Sequence, residues 1–215
     1  LGIDTRDFAE FYESRGAPAA SHETGPPHPP TIGYLARLAP EKGLHLLVDA
    51  FLRLRAKPGM ENARLEVAGW LGEMQRAYAE AEFNRLRDAG AEGSFCYRGE
   101  PDRAGKVEFL RRLDVLCVPT TYREPKGLFV LEAMAAGVPV VQPAHGAFPE
   151  LIASTGGGCL APPEDPHALC ETLHALLEDH PRRQQYAAAG LEAVHRSRNA
   201  EAMARATLEV FERFA

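Results

Sequence analysis

Val115-Leu-Cys-Val-Pro119-Thr-Thr-Tyr-Arg-Glu124-Pro-Lys-Gly-Leu-Phe-Val-Leu-Glu132-Ala-Met-Ala-Ala-Gly137-Val-Pro-Val-Val141 holds a whole strand–helix–strand unit. Its two ends, Val115–Pro119 and Val138–Val141, are short apolar runs that read as buried strands. The run from Leu128 through Leu131 to Ala135 has helical periodicity beginning near Gly127. Strands joined through a helix lie parallel, with a right-handed crossover. Glu124 then sits in the loop and Glu132 on the second helical turn. Between them, the first turn leaves amide N–H groups unpaired at the positive end of the helix dipole, a natural seat for a phosphate. A carboxylate on either side cannot ligate that phosphate; it is suited to accept hydrogen bonds from hydroxyls, such as those of a sugar and a ribose.

The alternation extends in both directions. Upstream, predicted strands Thr31–Ala36, Arg64–Ala68 and Ser94–Tyr97 alternate with predicted helices Gly43–Arg55, Gly72–Ala89 and Arg103–Leu113. Downstream come a short helix near Pro149–Ile152 and a strand Gly158–Ala161. Three further helical segments, Pro166–Glu178, Pro181–Arg196 and Ala200–Phe214, end the chain. The expected fold class is α/β, a doubly wound, Rossmann-like parallel sheet with extra C-terminal helices. In such sheets a ligand lies beyond the carboxyl ends of the strands, where strand order reverses, so the loops after Ala36, Tyr97, Pro119 and Val141 carry the chemistry.

Leu1 to Arg15 reads as a loop with a short helix, and Gly16 to Pro30 as a Pro-, Ala- and His-rich linker. Residues 1–30 are therefore expected to be an interdomain segment and linker, and 31–215 a ligand-binding domain. The last helix carries an apolar stripe, Met203, Leu208, Val210, Phe211 and Phe214, with no further strand to cover, which predicts weak self-association.

With 215 residues and a net charge of −6, the chain suits a globular domain without general affinity for nucleic acid. Cys96, Cys117, Cys159 and Cys170 have no C-x-x-C spacing, and Cys96 and Cys117 fall in predicted buried strands. They read as reduced structural thiols, hence a cytoplasmic protein. The eight histidines form no ligand pattern and no D-x-D triplet occurs, so no bound metal is expected. No apolar run is long enough to span a bilayer.

The first predicted strand leads into Ala36-Arg37-Leu38-Ala39-Pro40-Glu41-Lys42-Gly43. Arg37 can fork two N–H groups onto phosphate oxygens and Lys42 can add a point charge; the alternative is that both are solvated loop residues. Lysine occurs only at 42, 57, 106 and 126. Neither G-x-G-x-x-G nor G-x-x-x-x-G-K-[ST] is present, which argues against a dinucleotide fold and a P-loop. In His145-Gly-Ala-Phe-Pro-Glu150, His145 can face a ligand or donate to a backbone carbonyl, the structural reading being favoured, and Glu150 reads as serving the short helix beside it rather than a substrate. Gly156-Gly157-Gly158 precedes a strand and reads as a turn.

Taken together, these motifs resemble the C-terminal, donor-binding domain of retaining GT-B glycosyltransferases of family 4, the glycosyl transferases group 1. That family's signature is G-R-L-x-x-x-K-G, then E-x7-E running into E-A-M-A-x-G-x-P-V-V, then G-G-x-P-E. The counterparts here are Ala36-Arg37-Leu38 to Lys42-Gly43, Glu124 to Glu132 with the following Ala-Met-Ala-Ala-Gly137-Val-Pro-Val-Val, and Gly146-Ala147-Phe148-Pro149-Glu150. Asp165-Pro166 matches the family's turn before a helix, and Gly2-Ile3-Asp4 to Phe8 is similar to its N-G-[IV]-D-x-x-x-F segment.

The resemblance implies a metal-independent transfer of sugar from a nucleotide diphosphate sugar to an acceptor hydroxyl, with no cofactor. Arg37 and Lys42 would neutralise the diphosphate, and the amides of Leu128 and Phe129, following Gly127, would bind it. Glu132 would accept from the ribose and Glu124 from the transferred sugar. The acceptor, a glycan, lipid or small molecule, would be held by an N-terminal domain preceding Leu1. Pro125-Lys126-Gly127 replaces the family's usual Gly-Phe-Gly; proline has no N–H, and Lys126 adds a cation able to meet a carboxylated or phosphorylated sugar. Two other functions share these features: a non-catalytic interaction domain docking through Ala200–Phe214, and a GT-B nucleotide-sugar epimerase.

Overall fold

The computed structural model describes residues 1–13 and 28–214; most of the predicted linker lies outside them. Six strands form one parallel sheet in the order β3-β2-β1-β4-β5-β6. They are β1 (Thr31–Leu35), β2 (Arg64–Ala68), β3 (Phe95–Tyr97), β4 (Val115–Cys117), β5 (Val140–Pro143) and β6 (Gly158–Ala161). The chain lays down β1 in the middle, builds outward to β3, then returns to β1's other side with β4. Strand order therefore reverses between β1 and β4, whose registers pair Ile32 with Val115 and Gly33 with Leu116.

The sheet is buried on both faces, as its near-continuous apolar strands require. On one face, α2 (Leu44–Arg55), α3 (Arg76–Asp88) and α7 (Pro166–Glu178) pack Leu47, Phe51, Phe83 and Leu173 against Ile32, Tyr34, Leu65 and Val115. On the other, α4 (Arg103–Leu110), α5 (Leu128–Ala135), α6 (Phe148–Thr155) and α8 (His180–Ser197) bring Phe109, Leu131, Met134, Phe148 and Val194 against Leu35, Leu116 and Val140. The doubly wound architecture is as expected.

Where boundaries differ, backbone chemistry explains it. The strand predicted over Val115–Pro119 stops at Cys117, because Pro119 has no N–H and the Val118 amide donates to the Gln142 side chain (3.4 Å). The strand predicted from Val138 starts at Val140, just past Pro139. Residues Glu73–Gln75 wind a 3-10 turn before α3 begins at Arg76. Cys96 was expected in a buried strand, but β3 is the sheet edge and Cys96 is only partly covered; Cys117 is fully buried, and all four thiols are free. Burial pushes the Cys117 thiol far above the usual range.

Side chains cap the later helices. Asp165 accepts from the Ala168 amide (2.9 Å) with Pro166 at the first position of α7, and Asn199 accepts from the Ala202 amide (2.8 Å) at the start of α9 (Ala200–Glu212). The N-terminal residues pack on this domain. Ile3 exchanges backbone hydrogen bonds with Arg198 (2.9 Å) and Ala200 (2.8 Å), and Phe8 is buried. The short α1 (Ala9–Glu13) follows, where Tyr12 stacks on His195 with ring centroids 4.5 Å apart. Along α9, Met203, Leu208, Val210 and Phe211 are exposed, as is Phe214 beyond its end. Among the described residues, no helix is long and apolar enough to cross a membrane.

Candidate functional site

The reversal of strand order sets the carboxyl ends of β1 and β4 side by side, and their loops are tied together. The Thr121 amide donates to the Glu41 carbonyl (3.0 Å), and Gly43, in the left-handed conformation (φ 74°), lies so close to Pro119 that a Cβ there would stand 1.9 Å from its carbonyl oxygen. A 3-10 turn, Pro40–Lys42, ends at this glycine and turns Lys42 inward. Its side chain is only 11% exposed. The ammonium donates to Glu124 Oε2 (2.7 Å) and to the Tyr122 hydroxyl (2.6 Å), which itself donates to Glu124 Oε2. It also lies 4.9 Å from the Tyr122 ring centroid and 5.8 Å from that of Phe129.

Glu124 is held from every side. Oε1 accepts from the amides of Lys126 and Gly127 (3.3 Å each), skipping Pro125, and the Glu124 carbonyl accepts from the Ala147 amide (2.8 Å) in the loop after β5. Gly146 in that loop presses on the Glu124 backbone, where a Cβ would come within 2.6 Å of the carbonyl oxygen. His145 Nε2 donates to the Thr120 carbonyl (2.9 Å), the structural role expected of it, while its Nδ1 is buried without a partner among the described residues. Three loops, after β1, β4 and β5, thus converge on one carboxylate.

Burial by itself would raise the Glu124 carboxyl. The Lys42 ammonium, the Tyr122 hydroxyl and the Gly127 amide outweigh it and bring the group down to about 2 from an ordinary 4.5. Glu124 is thus ionised at neutral pH, an acceptor and not a proton donor. A carboxyl depressed by folding stabilises the native state above its ordinary value, and that contribution disappears as pH falls through the folded value. Glu124→Gln is therefore expected to be less stable than the wild-type chain at neutral pH, with the gap closing between about pH 4.5 and 2. Urea denaturation across that window measures it; a gap independent of pH would contradict the assignment.

Helix α5 starts against this network. Its N-cap is Gly127, left-handed at φ 64°, with no side-chain cap, and among the described residues no carbonyl outside the helix accepts from the amides of Leu128 or Phe129. Two donors and the positive end of α5 are thus left open beside the Glu124 loop. Glu132 sits one turn on, where Oε1 accepts from Lys106 Nζ of α4 (2.7 Å). Arg37, in the loop after β1, is exposed and pairs with Glu41 (3.1 Å). The structure thus joins Lys42 to Glu124 directly and leaves Arg37 and Glu132 on pairs of their own. Sequence reasoning missed Tyr122 and Lys106. For Lys106 a signal existed in the scarcity of lysine; for Tyr122 there was none. Among the described residues, no group of three or more His, Cys, Asp and Glu side chains is placed to hold a metal ion.

Residues 20–193 match the family described as Glycosyl transferases group 1. The chain belongs to that family. Phosphatidyl-myo-inositol mannosyltransferase of Mycobacterium leprae is 35% identical over 172 residues, covering 77% of this chain and 42% of that protein. The chain spans about half the length of the curated relatives it matches. Among solved structures, the C-terminal domain of the group 1 glycosyl transferase LpcC of Francisella tularensis superposes with a TM-score of 0.74 at 21% identity, covering 93% of this chain and 100% of that one. HepE of Anabaena, in complex with UDP and glucose, gives 0.79 at 21% identity, covering 98% of this chain and 55% of that one. This group 1 domain therefore has the fold of the C-terminal half of a GT-B glycosyltransferase.

Proposed function

We propose that this domain is the donor-binding half of a retaining, metal-independent glycosyltransferase that moves a sugar from a nucleotide diphosphate sugar to an acceptor hydroxyl held by an N-terminal domain. The observation that carries the reading is the buried Lys42–Tyr122–Glu124 cluster, set beside the uncapped start of α5 at the β1/β4 switch point. A diphosphate seated on the amides of Leu128 and Phe129 would meet Lys42 from below and Arg37 from the rim. Glu124, kept ionised, would accept from hydroxyls of the transferred sugar in place of its long amide contacts (3.3 Å), and Glu132 would accept from the ribose.

In a retaining transfer the diphosphate leaves from the face that the acceptor hydroxyl approaches. Stabilising the departing charge is then the donor domain's main task. Arg37, Lys42 and the two amides supply that stabilisation, and each charge-assisted hydrogen bond is worth about 1.5–3 kcal/mol. The mannosyltransferase relative and the UDP bound to HepE both accord with a nucleotide-sugar donor.

Calorimetric titration of UDP, GDP and ADP and their sugars tests the reading. One nucleotide is expected to bind, and Arg37→Ala to weaken it about 10- to 100-fold, the value of one charge-assisted contact. Because the Arg37 side chain pairs, among the described residues, with the solvent-exposed Glu41, the unfolding free energy should move by no more than about 0.5 kcal/mol. No heat from any nucleotide would refute the proposal.

A further inference from the structure

We infer that Lys106 is a positioning residue for the ribose, forming with Glu132 a donor–acceptor pair matched to a vicinal diol. This inference rests on the reading of Glu132 as the ribose acceptor. Glu132 Oε1 takes one hydrogen bond from Lys106 Nζ (2.7 Å), and the Glu132 and Lys106 side chains are 22% and 30% exposed, so a ligand can reach them. An ammonium has three donors and a carboxylate about four lone-pair sites, so after their mutual bond both retain free hydrogen-bonding capacity on neighbouring atoms. A ribose diol presents a donor and an acceptor at each hydroxyl. The carboxylate accepts the O–H, and the ammonium donates to the hydroxyl oxygen.

The platform beneath Lys106 is fastened. Asp102 caps α4 by accepting from the Gly105 amide (2.7 Å), Arg103 pairs with Asp4 (2.8 Å) and with Asp7, and Arg111 pairs with Glu10. Lys106 thus reaches Glu132 from a helix clamped to the N-terminal segment, and it fixes the rotamer of a long side chain that would otherwise lose entropy on binding. Nothing in the fold requires this pair: it is partly solvated, and an ion pair of this exposure adds little to stability.

The test compares the tightest-binding of UDP, GDP and ADP with its 2′-deoxy counterpart, using wild type, Lys106→Met, Lys106→Arg, Glu132→Gln and Lys106→Met/Glu132→Gln. Wild type is expected to prefer the ribose form by about tenfold or more, as a site built around a hydroxyl does. Lys106→Met should reduce that preference to within about threefold and weaken the ribose form about tenfold, Lys106→Arg should restore part of it, and the double variant should lose little beyond the worse single one. Unfolding midpoints should stay within a few degrees of one another. A Lys106→Met protein with wild-type affinity and an undiminished ribose preference would overturn the inference while leaving the donor-site reading intact. A wild-type chain that binds no nucleotide would defeat both.

Discussion

Lys42→Met is expected to melt about 10 °C below the wild-type chain and to bind nucleoside diphosphate more than tenfold more weakly, whereas adding Glu124→Gln should recover most of the stability and none of the binding. Methionine nearly matches the lysine stem but has no charge, so the change leaves the Glu124 carboxylate 7% exposed, ionised and without its cation. Removing one partner of a buried ion pair costs about 3–5 kcal/mol, most of it the penalty of the abandoned charge. Glutamine removes that charge in turn: its oxygen can still accept from the loop amides while its NH2 donates to the Tyr122 hydroxyl. Binding does not return, because the diphosphate has lost a cation that the double variant does not replace. The recovery is the informative part. Thermal melts of the four proteins give the coupling directly, and strictly additive losses would show that Lys42 and Glu124 do not act as the pair their 2.7 Å contact indicates.

Gly43→Ala should cost about 3 kcal/mol or more, while Gly90→Ala costs about 1 kcal/mol. The two glycines have nearly the same backbone conformation, φ 74° and 72°, and so pay the same penalty for a side chain in the left-handed region. Their surroundings differ. A Cβ at Gly90 meets nothing within 4 Å, whereas one at Gly43 stands 1.9 Å from the Pro119 carbonyl oxygen and forces the loops after β1 and β4 apart. Lys42 adjoins Gly43 and Glu124 lies in the other loop, so the displacement also opens the ion pair and weakens nucleotide binding. Denaturation of both variants, with nucleotide titration of Gly43→Ala, checks this. Equal costs at the two positions would mean that the loops yield freely and that the site is not built on their contact.

Much of the molecule was legible because its signals are local. Alternating apolar strands and amphipathic helices name a parallel, doubly wound sheet, and Arg64–Ala68, Gly158–Ala161 and Pro166–Glu178 are where periodicity puts them. Glu124 in a loop, Glu132 on the second turn of α5 and Gly127 at its start follow from the same pattern. Cys96 went astray because a short apolar run reads as buried whether it lies at the centre or the edge of a sheet. Tyr122 escaped because a tyrosine two residues before a loop carboxylate carries no periodic mark.

Pattern and composition therefore decide the fold class, the strand–helix alternation and the loops that bear the chemistry. They leave open which side chains meet. Lys42 and Glu124 are 82 residues apart, Lys106 and Glu132 26, and nothing local distinguishes a lysine that solvates a loop from one buried on a carboxylate. That choice is made when β4 returns to lie beside β1, because strand order is set by long-range packing of both faces of the sheet. Only then do Gly43 against Pro119 and Gly146 against Glu124 bring three loops within hydrogen-bonding reach. The burial they create turns a solvated charge pair into a site.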